Sequence, residues 1–570
     1  MECAKLAKAI GLLAMSCTVC AEAETEMEQQ GNRILQEHQQ RLEEQRRRIE
    51  SEQKRHQPII AVPPKEEPSV PGGPCFDVKE IEFDGATLLP DDEAVRIQAP
   101  YLARCVDLAS INQLIRKVTD WYLENGYITS RAYVTAQDLS SGSLAITVIE
   151  GSVESIEPID AESRINVHTA FPSVTGDILN LRDIEQGLEQ INRLRSYDVK
   201  MDLLPGAEPG GSVISINSQE SEPVAVSLSR DNSGQKSTGE LMNGLMISLD
   251  NPLGLNDYSY FQLQKDTLPR RYGKSSRSVT GHWDMPYGYW NFGLDFSHFE
   301  YLTTVQGNLK EFETSGESTN KKISLSRTLF RDESSKLKIK AGLSHKRMQN
   351  HIEDVILDNS RALTVGTIGF GYEKYFPGQA QLQIDVNYHR GLKLFNALKD
   401  TEDENGEPRA QFDKLTARLD YTKAFKVVTA GKPLGLTWQS TLQAQYSDDL
   451  LFGSEQISIG SLYSVRGYKG TSVSAASGAY WRNTLTLQFK PEVSWLEKVE
   501  PFVAIDVGAV RDRANVYAQG KYVDLSGLAA GIKLSGKHFS ADMTYARPND
   551  PPDWLQADSS QWYFTLTYKF

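Results

Sequence analysis

An arginine and an aspartate forty positions apart are the residues best placed for specific chemistry, and the chemistry they suit is a fixed ionic contact. Arg466 stands in Val465-Arg466-Gly467-Tyr468, beside a glycine that lets the chain turn sharply, in a long connection from about Asp448 to Ser474. Asp506 lies where Phe502, Ala504, Asp506 and Gly508 share one parity and the apolar Val503, Ile505 and Val507 share the other. A guanidinium can grip a carboxylate through two parallel hydrogen bonds, and the missing side chain at Gly508 leaves room for it to enter. On its own, Arg466 reads first as an ordinary exposed loop arginine.

Catalytic constellations do not compete with this pair. The nine histidines are scattered without a HExxH spacing, and Gly273-Lys274-Ser275 lacks the earlier glycine of a phosphate loop because position 268 is Leu. No Gly-x-Ser-x-Gly turn occurs, and five cysteines cannot build a cysteine-rich zinc site. The expectation is a chain with no catalytic residues, no metal and no cofactor.

The elements that must position Arg466 and Asp506 follow from composition and periodicity. The chain has 570 residues, a net charge of -14 and 24% charged residues, with a mean hydropathy of -0.43. The acidic balance argues against nucleic acid as a partner, since phosphate binding rests on basic side chains. No apolar run after the amino terminus reaches the roughly 20 residues of a membrane helix, which excludes a helical bundle in the membrane but permits a transmembrane β-barrel. From 223 to 570 period-2 alternation dominates. Trp562, Phe564, Leu566, Tyr568 and Phe570 share one face of the last strand while Tyr563, Thr565, Thr567 and Lys569 share the other. Strands of about 10 residues with one apolar and one polar face fit a lipid-facing wall around a wet lumen, and about 16 of them fit this length. A soluble β-sandwich is the alternative on alternation alone.

Upstream, residues 1–23 carry Lys5 and Lys8, an apolar stretch from Ala9 to Val19, and Ala21-Glu22-Ala23, the order of a secretory leader cut before Glu24. A buried amino-terminal helix is the other reading. Cleavage removes Cys3, Cys17 and Cys20 and leaves Cys75 and Cys105, which in an oxidising compartment suggests one disulfide rather than two buried thiols. Residues 24–56 are rich in Glu, Gln and Arg, strong helix formers. Their thin apolar stripe of Leu35, Leu42 and Ile49 suits a helix in water, in a weak coiled coil or in a polar cavity. About 26 such residues would span roughly 39 Å, enough to thread a barrel band about 25 Å tall. Residues 57–74 contain six prolines and read as a semi-stiff tether. Two mixed α+β units follow, 75–150 and 151–222. The helix of the first carries Ile111, Leu114, Ile115, Val118 and Trp121 and stops at Gly126; that of the second is expected from about Asp183 to Arg195.

These stretches together resemble the two-partner secretion transporters of the outer membrane, the TpsB branch of the POTRA-barrel superfamily. The resemblance runs through Val465-Arg466-Gly467-Tyr468 with Ser454-Glu455-Gln456 before it and Phe502 to Gly508 after it. It extends to Asp250-Asn251-Pro252-Leu253-Gly254-Leu255-Asn256-Asp257, Pro286-Tyr287-Gly288-Tyr289-Trp290, Leu325 to Asp332 and the terminal Phe570. Cys75-Phe76 at the opening of the first unit brings it nearest to the haemolysin-activator and contact-dependent-inhibition transporters. It implies an amino-terminal plug helix, two periplasmic POTRA modules, and a 16-stranded barrel whose sixth extracellular loop folds into the lumen. It further implies that Arg466 pairs with Asp506 on the thirteenth strand. The partner implied is a large β-helical exoprotein of the TpsA type, exported without nucleotide and folding outside. Phe570 is implied to be the signal read by the barrel-assembly machinery, which inserts the apolar band into outer-membrane lipid. A barrel assembly factor of the same superfamily is the alternative, although such factors usually carry more than two POTRA modules; a passive porin would carry none.

Overall fold

A computed structural model of the chain describes residues 17–54, 74–160, 162–267, 273–306, 311–353, 355–357, 360–400, 406–429, 432–513 and 522–570. Positions 1–16 of the expected leader, and the expected tether apart from Pro74, lie outside these residues. Helix α1, Cys17–Gln53, has 37 residues and is roughly 55 Å long at 1.5 Å per residue. It begins inside the segment expected to be cleaved and ends three residues short of position 56, so its bounds differ from the 24–56 read from composition.

The two small units share one plan. In the first, β1 (Cys75–Val78) pairs antiparallel with β3 (Arg104–Asp107), while β2 (Glu80–Asp84), β4 (Arg131–Tyr133) and β5 (Ser143–Ile149) form a sheet of order β2-β5-β4 with β2 and β5 parallel. Helix α2, Leu108–Glu124, is capped by Asp107, whose carboxylate accepts from the Ser110 amide at 2.9 Å, and it packs Ile111, Leu114, Val118 and Tyr122 onto the sheet. Gly126 follows it at φ +89°. The Tyr122 hydroxyl donates to Glu150 at 2.7 Å; burial, then this bond, pushes the phenol well above its ordinary pKa, so it remains a donor.

In the second unit β6 (Ser152–Pro158), β7 (Tyr197–Pro205) and β8 (Gly211–Glu220) form a sheet of order β6-β8-β7, again with a parallel pair. Its long helix α3, Leu181–Asn192, buries Ile184, Leu188 and Ile191. This helix starts earlier than the expected Asp183, because Asn180 caps it by accepting from the Arg182 amide at 2.8 Å, and it ends at Asn192 with Arg193 as its C-cap, short of the expected Arg195.

Among the described residues sixteen long antiparallel strands, from Val224–Asp231 to Gln561–Lys569, close into a barrel. The last strand pairs with the first from Thr565↔Asp231 to Lys569↔Ser227. A two-residue strand, Val355–Ile356, folds back onto Ser335–Ile352 and adds no wall. Closure satisfies the backbone of every strand, the condition for crossing a bilayer without helices. Alternation sorts the faces: Val503, Ile505 and Val507 are exposed on the outside, whereas Phe502, Ala504 and Asp506 are buried inside. Trp562, Leu566, Tyr568 and Phe570 also point outward, and the Phe570 amide donates to the Val226 carbonyl at 2.9 Å across the seam.

The three quoted stretches near Asp250, Pro286 and Leu325 prove to be where the second unit docks. The Ser196 amide donates to Asp250 at 2.8 Å, Asn256 donates to the Asn166 carbonyl at 2.6 Å, and Gln190 donates to the Gly288 carbonyl at 3.1 Å. Arg331 meets Glu189 at 2.5 Å and Glu185 at 3.4 Å. These turns therefore mark the periplasmic rim.

A disulfide joins Cys75 on β1 to Cys105 on β3, with Cα atoms 5.2 Å apart and a sequence separation of 30. Closing such a loop stabilises its unit by roughly 3 to 4 kcal/mol on the chain-entropy model. Replacing both cysteines by serine should speed amide hydrogen exchange in β2, β5 and α2 of the full-length protein while leaving exchange in the barrel unchanged. Equal protection of the first unit in both forms would show that the bond is dispensable.

Candidate functional site

The connection between the eleventh strand, Lys432–Tyr446, and the twelfth, Ser477–Gln488, turns into the barrel. It carries a small hairpin, Ile457–Ile459 against Val473–Ala475, and Arg466 at its inner end. Arg466 Nε lies 2.5 Å from Asp506 Oδ2 and Nη2 lies 2.6 Å from Oδ1, a bidentate pair on the thirteenth strand, Lys498–Arg511. The Arg466 amide also donates to Asp506 at 3.1 Å, and Nη2 donates to Thr484 at 3.2 Å. Arg466 is 4% exposed and Asp506 1%, so each charge depends on the other for solvation. Arg482 stands 4.0 Å from the same carboxylate and donates to the Tyr463 carbonyl at 2.9 Å.

The rest of the motif fixes the approach. Val465 and Tyr468 are fully buried among Ile457, Ile459, Val473, Val510, Val523 and Leu525, and the Tyr468 hydroxyl donates to the Ser526 carbonyl at 3.0 Å. Gly467 has φ +109°, and a Cβ there would sit 2.5 Å from the Arg547 carbonyl carbon, so only glycine fits. Gly527 on the fourteenth strand is tighter still: a Cβ would lie 1.9 Å from the Arg466 carbonyl oxygen.

Gly508 plays a different part from the one expected. It faces Val465 and Ile459, whose methyl carbons would lie 3.0 and 3.1 Å from an added Cβ, and it does not receive the guanidinium. Residues two apart on a strand are about 7 Å apart, so the next lumenal position meets the next part of the loop. Phe502 likewise packs away from the pair, against Ala504, Ala529, Ala546 and Tyr563.

Helix α1 lies on this loop inside the barrel. Gln36 donates to the Gly453 carbonyl at 2.6 Å and accepts from Ser474 at 2.6 Å; Gln40 donates to the Ser458 carbonyl at 2.8 Å and accepts from Ser461 at 2.7 Å. Cations of the helix meet acids of the wall, Arg46 with Asp295 at 2.8 Å and Lys54 with Glu373 at 2.5 Å. Asp295 continues through His282, at 2.8 Å, to Asp284, which Arg193 at the end of α3 also contacts. Ile34 and Leu35 are buried against Phe299, Tyr301 and Met348, a small apolar seat within a polar interface.

Several working residues escaped the sequence reading. Thr484 alternates with the apolar Leu485 and Leu487, and Gly527, Ala529 and Gly531 alternate with Leu528, Ala530 and Ile532; that run of small residues on one face was the available sign that a loop backbone approaches there. Glu455, Lys346 and Lys414 carried no local signal as a group. No cluster of His, Cys, Asp or Glu able to hold a metal occurs among the described residues.

A profile of the haemolysin secretion/activation proteins ShlB/FhaC/HecB matches residues 210–534, and two POTRA profiles match 76–151 and 152–205. The chain belongs to that family. It is 36% identical to the outer membrane transporter CdiB of Dickeya dadantii over 88% of each chain, and 28% identical to the hemolysin transporter protein ShlB of Serratia marcescens over 85% of this chain and 86% of that one. The solved structure of CdiB from Escherichia coli superposes with a TM-score of 0.85 at 32% identity, covering 95% of this chain and 99% of that one. The family consists of two-partner secretion transporters of the outer membrane with periplasmic POTRA modules, and this places the present chain there, working with a secreted exoprotein partner. Membership also decides against the assembly-factor alternative.

Gly527→Ala should force the Arg466 backbone off the wall, since the clash is with a backbone oxygen rather than a flexible side chain. The expected result is a folded, heat-modifiable barrel with a higher pore conductance in planar bilayers. Unchanged conductance would mean that the loop tolerates the shift.

Proposed function

We propose that the chain exports a large unfolded TpsA-type exoprotein, built as a β-helix once folded, through a lumen that rests closed behind α1 and the inward loop. The single observation that carries this reading is that the lumen is occupied by two segments, of which α1 is held largely through glutamine hydrogen bonds and ion pairs that water can replace. The exposed sheet edges of the two modules suit strand addition by an extended client, where main-chain bonds give affinity without a folded partner. Release of the helix then clears a path beside the anchored loop, and client folding outside supplies direction without nucleotide. The work is transport, with no catalytic chemistry of its own.

The domain map that goes with this reading is a leader at 1–23, a plug helix at 24–56, a tether at 57–74, POTRA modules at 75–150 and 151–222 and the barrel at 223–570. Val465, Arg466, Gly467 and Tyr468 anchor the loop on Asp506, and Phe570 serves the barrel-assembly machinery during insertion into lipid.

Removing residues 24–56 should raise single-channel conductance while the barrel remains heat-modifiable, because the helix contributes little apolar burial. An unchanged current would remove its role as a plug. Arg466→Ala leaves a buried carboxylate unpaired and Asp506→Ala a buried guanidinium, a local cost of about 3 to 5 kcal/mol in a dry site and less in a wet one. Either variant should insert normally and lose most export of the exoprotein partner. Normal secretion by both, at equal surface levels, would refute the anchoring role.

A further inference from the structure

Glu455 belongs to the inward loop but not to its Arg466 anchor. It is 3% exposed, and its carboxylate meets Lys346 Nζ at 2.5 Å and Lys414 Nζ at 2.7 Å. Its backbone carbonyl accepts from Lys414 at 3.0 Å and from Gln445 at 2.9 Å. Lys346 lies on the seventh barrel strand, Ser335–Ile352, and Lys414 on the tenth, Asp413–Thr429. Asp506 lies on the thirteenth. Lys346 is therefore six strands, and Lys414 three strands, from the strand of Asp506 in a wall of sixteen, so the loop is held to the wall at two separate places.

We infer that Glu455, Lys346 and Lys414 form a second clamp that, with the Arg466 anchor, holds the loop at two places on the wall and so fixes the seat of α1. The seat adjoins the clamp: Gln36 donates to the Gly453 carbonyl, and a Cβ at Gly453 would lie 2.6 Å from the Asn32 side chain. A loop tied at one end only would still sample the lumen, but its other end would be free to swing. Tying both ends makes the second contact intramolecular and leaves little freedom to the segment between.

The charge count gives the clamp an asymmetry that neutral packing would not have. One carboxylate serves two ammonium groups. Removing the carboxylate leaves two partly buried lysines facing each other, whereas removing one lysine leaves a balanced pair. Glu455→Gln should therefore be more disruptive than Lys346→Met, and Lys346→Met should partly correct Glu455→Gln by removing the repulsion. A side chain that merely fills space would show neither the ranking nor the correction.

The inference rests on the reading of the loop as a closure of the lumen, so its test uses a measurement that needs no exported client. Ser472 is 5% exposed on the loop hairpin, and its hydroxyl has no hydrogen-bond partner, so Ser472→Cys is a quiet reporter. Full-length protein carrying it is treated on intact cells with a membrane-impermeant maleimide, with heat modifiability as the control for a folded barrel. Glu455→Gln should raise the labelling rate by about tenfold or more, Lys346→Met much less, and the two together should fall between. If Glu455→Gln fails to fold, the Lys346→Met/Lys414→Met variant, which keeps Glu455 and removes both partners, should raise labelling in its place. Labelling as slow as in the parent in folded Glu455→Gln, or in the folded Lys346→Met/Lys414→Met variant where Glu455→Gln does not fold, overturns the clamp. Faster labelling with undiminished export would leave the clamp standing and overturn instead the view that the loop must stay in the lumen for transport.

Discussion

A closed wall of sixteen strands satisfies its own backbone inside a bilayer, but walls of that size enclose a water-filled channel wider than their inward side chains can fill. Everything distinctive about this chain answers that constraint. The lumen has to be occupied for the membrane to stay sealed, and the occupants have to be removable for a polypeptide to pass. Apolar packing would occupy it too firmly, since each fully buried large side chain is worth roughly 1.5 to 3 kcal/mol. The helix instead meets the loop through glutamine side chains and the wall through ion pairs, contacts that exchange readily for water.

The exception is the buried pair of Arg466 and Asp506, and its burial explains why it suits an anchor rather than a latch. A bidentate pair with a third bond from the Arg466 amide has nearly all its polar atoms satisfied, so it costs little to keep and much to break one-sidedly. The same logic of strength graded by burial holds at the periplasmic rim. There the turns at Asp250, Gly288 and Arg331 hold the second module through buried bonds with the Ser196 amide and the Gln190 side chain and through ion pairs with Glu185 and Glu189. Module, rim, wall and helix are thereby contiguous: Arg193 of the module and Arg46 of the helix both end on the Asp284, His282 and Asp295 network.

Much of the architecture was legible because barrels and amphipathic helices write their faces into period 2 and period 3.6. Trp562, Leu566 and Tyr568 could be assigned to lipid, and Phe502, Ala504 and Asp506 to the lumen, from parity alone. Helix ends were less legible, because caps depend on single side chains; Asn180 moved the start of α3 to Leu181. The burial of Ile34 and Leu35 was hidden for another reason. Their apolar partners, Phe299, Tyr301 and Met348, come from barrel strands hundreds of residues away, and the helix's own pattern carries no trace of them.

The candidate site shows the same division between near and far. That Asp506 faces inward follows from its neighbours, and that Arg466 sits at a sharp turn follows from Gly467. That the two meet follows from neither, and it entered through the family resemblance. Which small residue admits the loop was misassigned because two lumenal glycines were plausible and only the register of the neighbouring strand separates them: Asp506 pairs with Gly527, so the arginine backbone arrives over Gly527 while Gly508 faces the hairpin. Register across strands is set by turns and by the whole closed wall, not by spacing within one strand. A contact between a loop and a wall in such a barrel is therefore a property of the closed structure, and its residues become recognisable as a group only after the strands are in place.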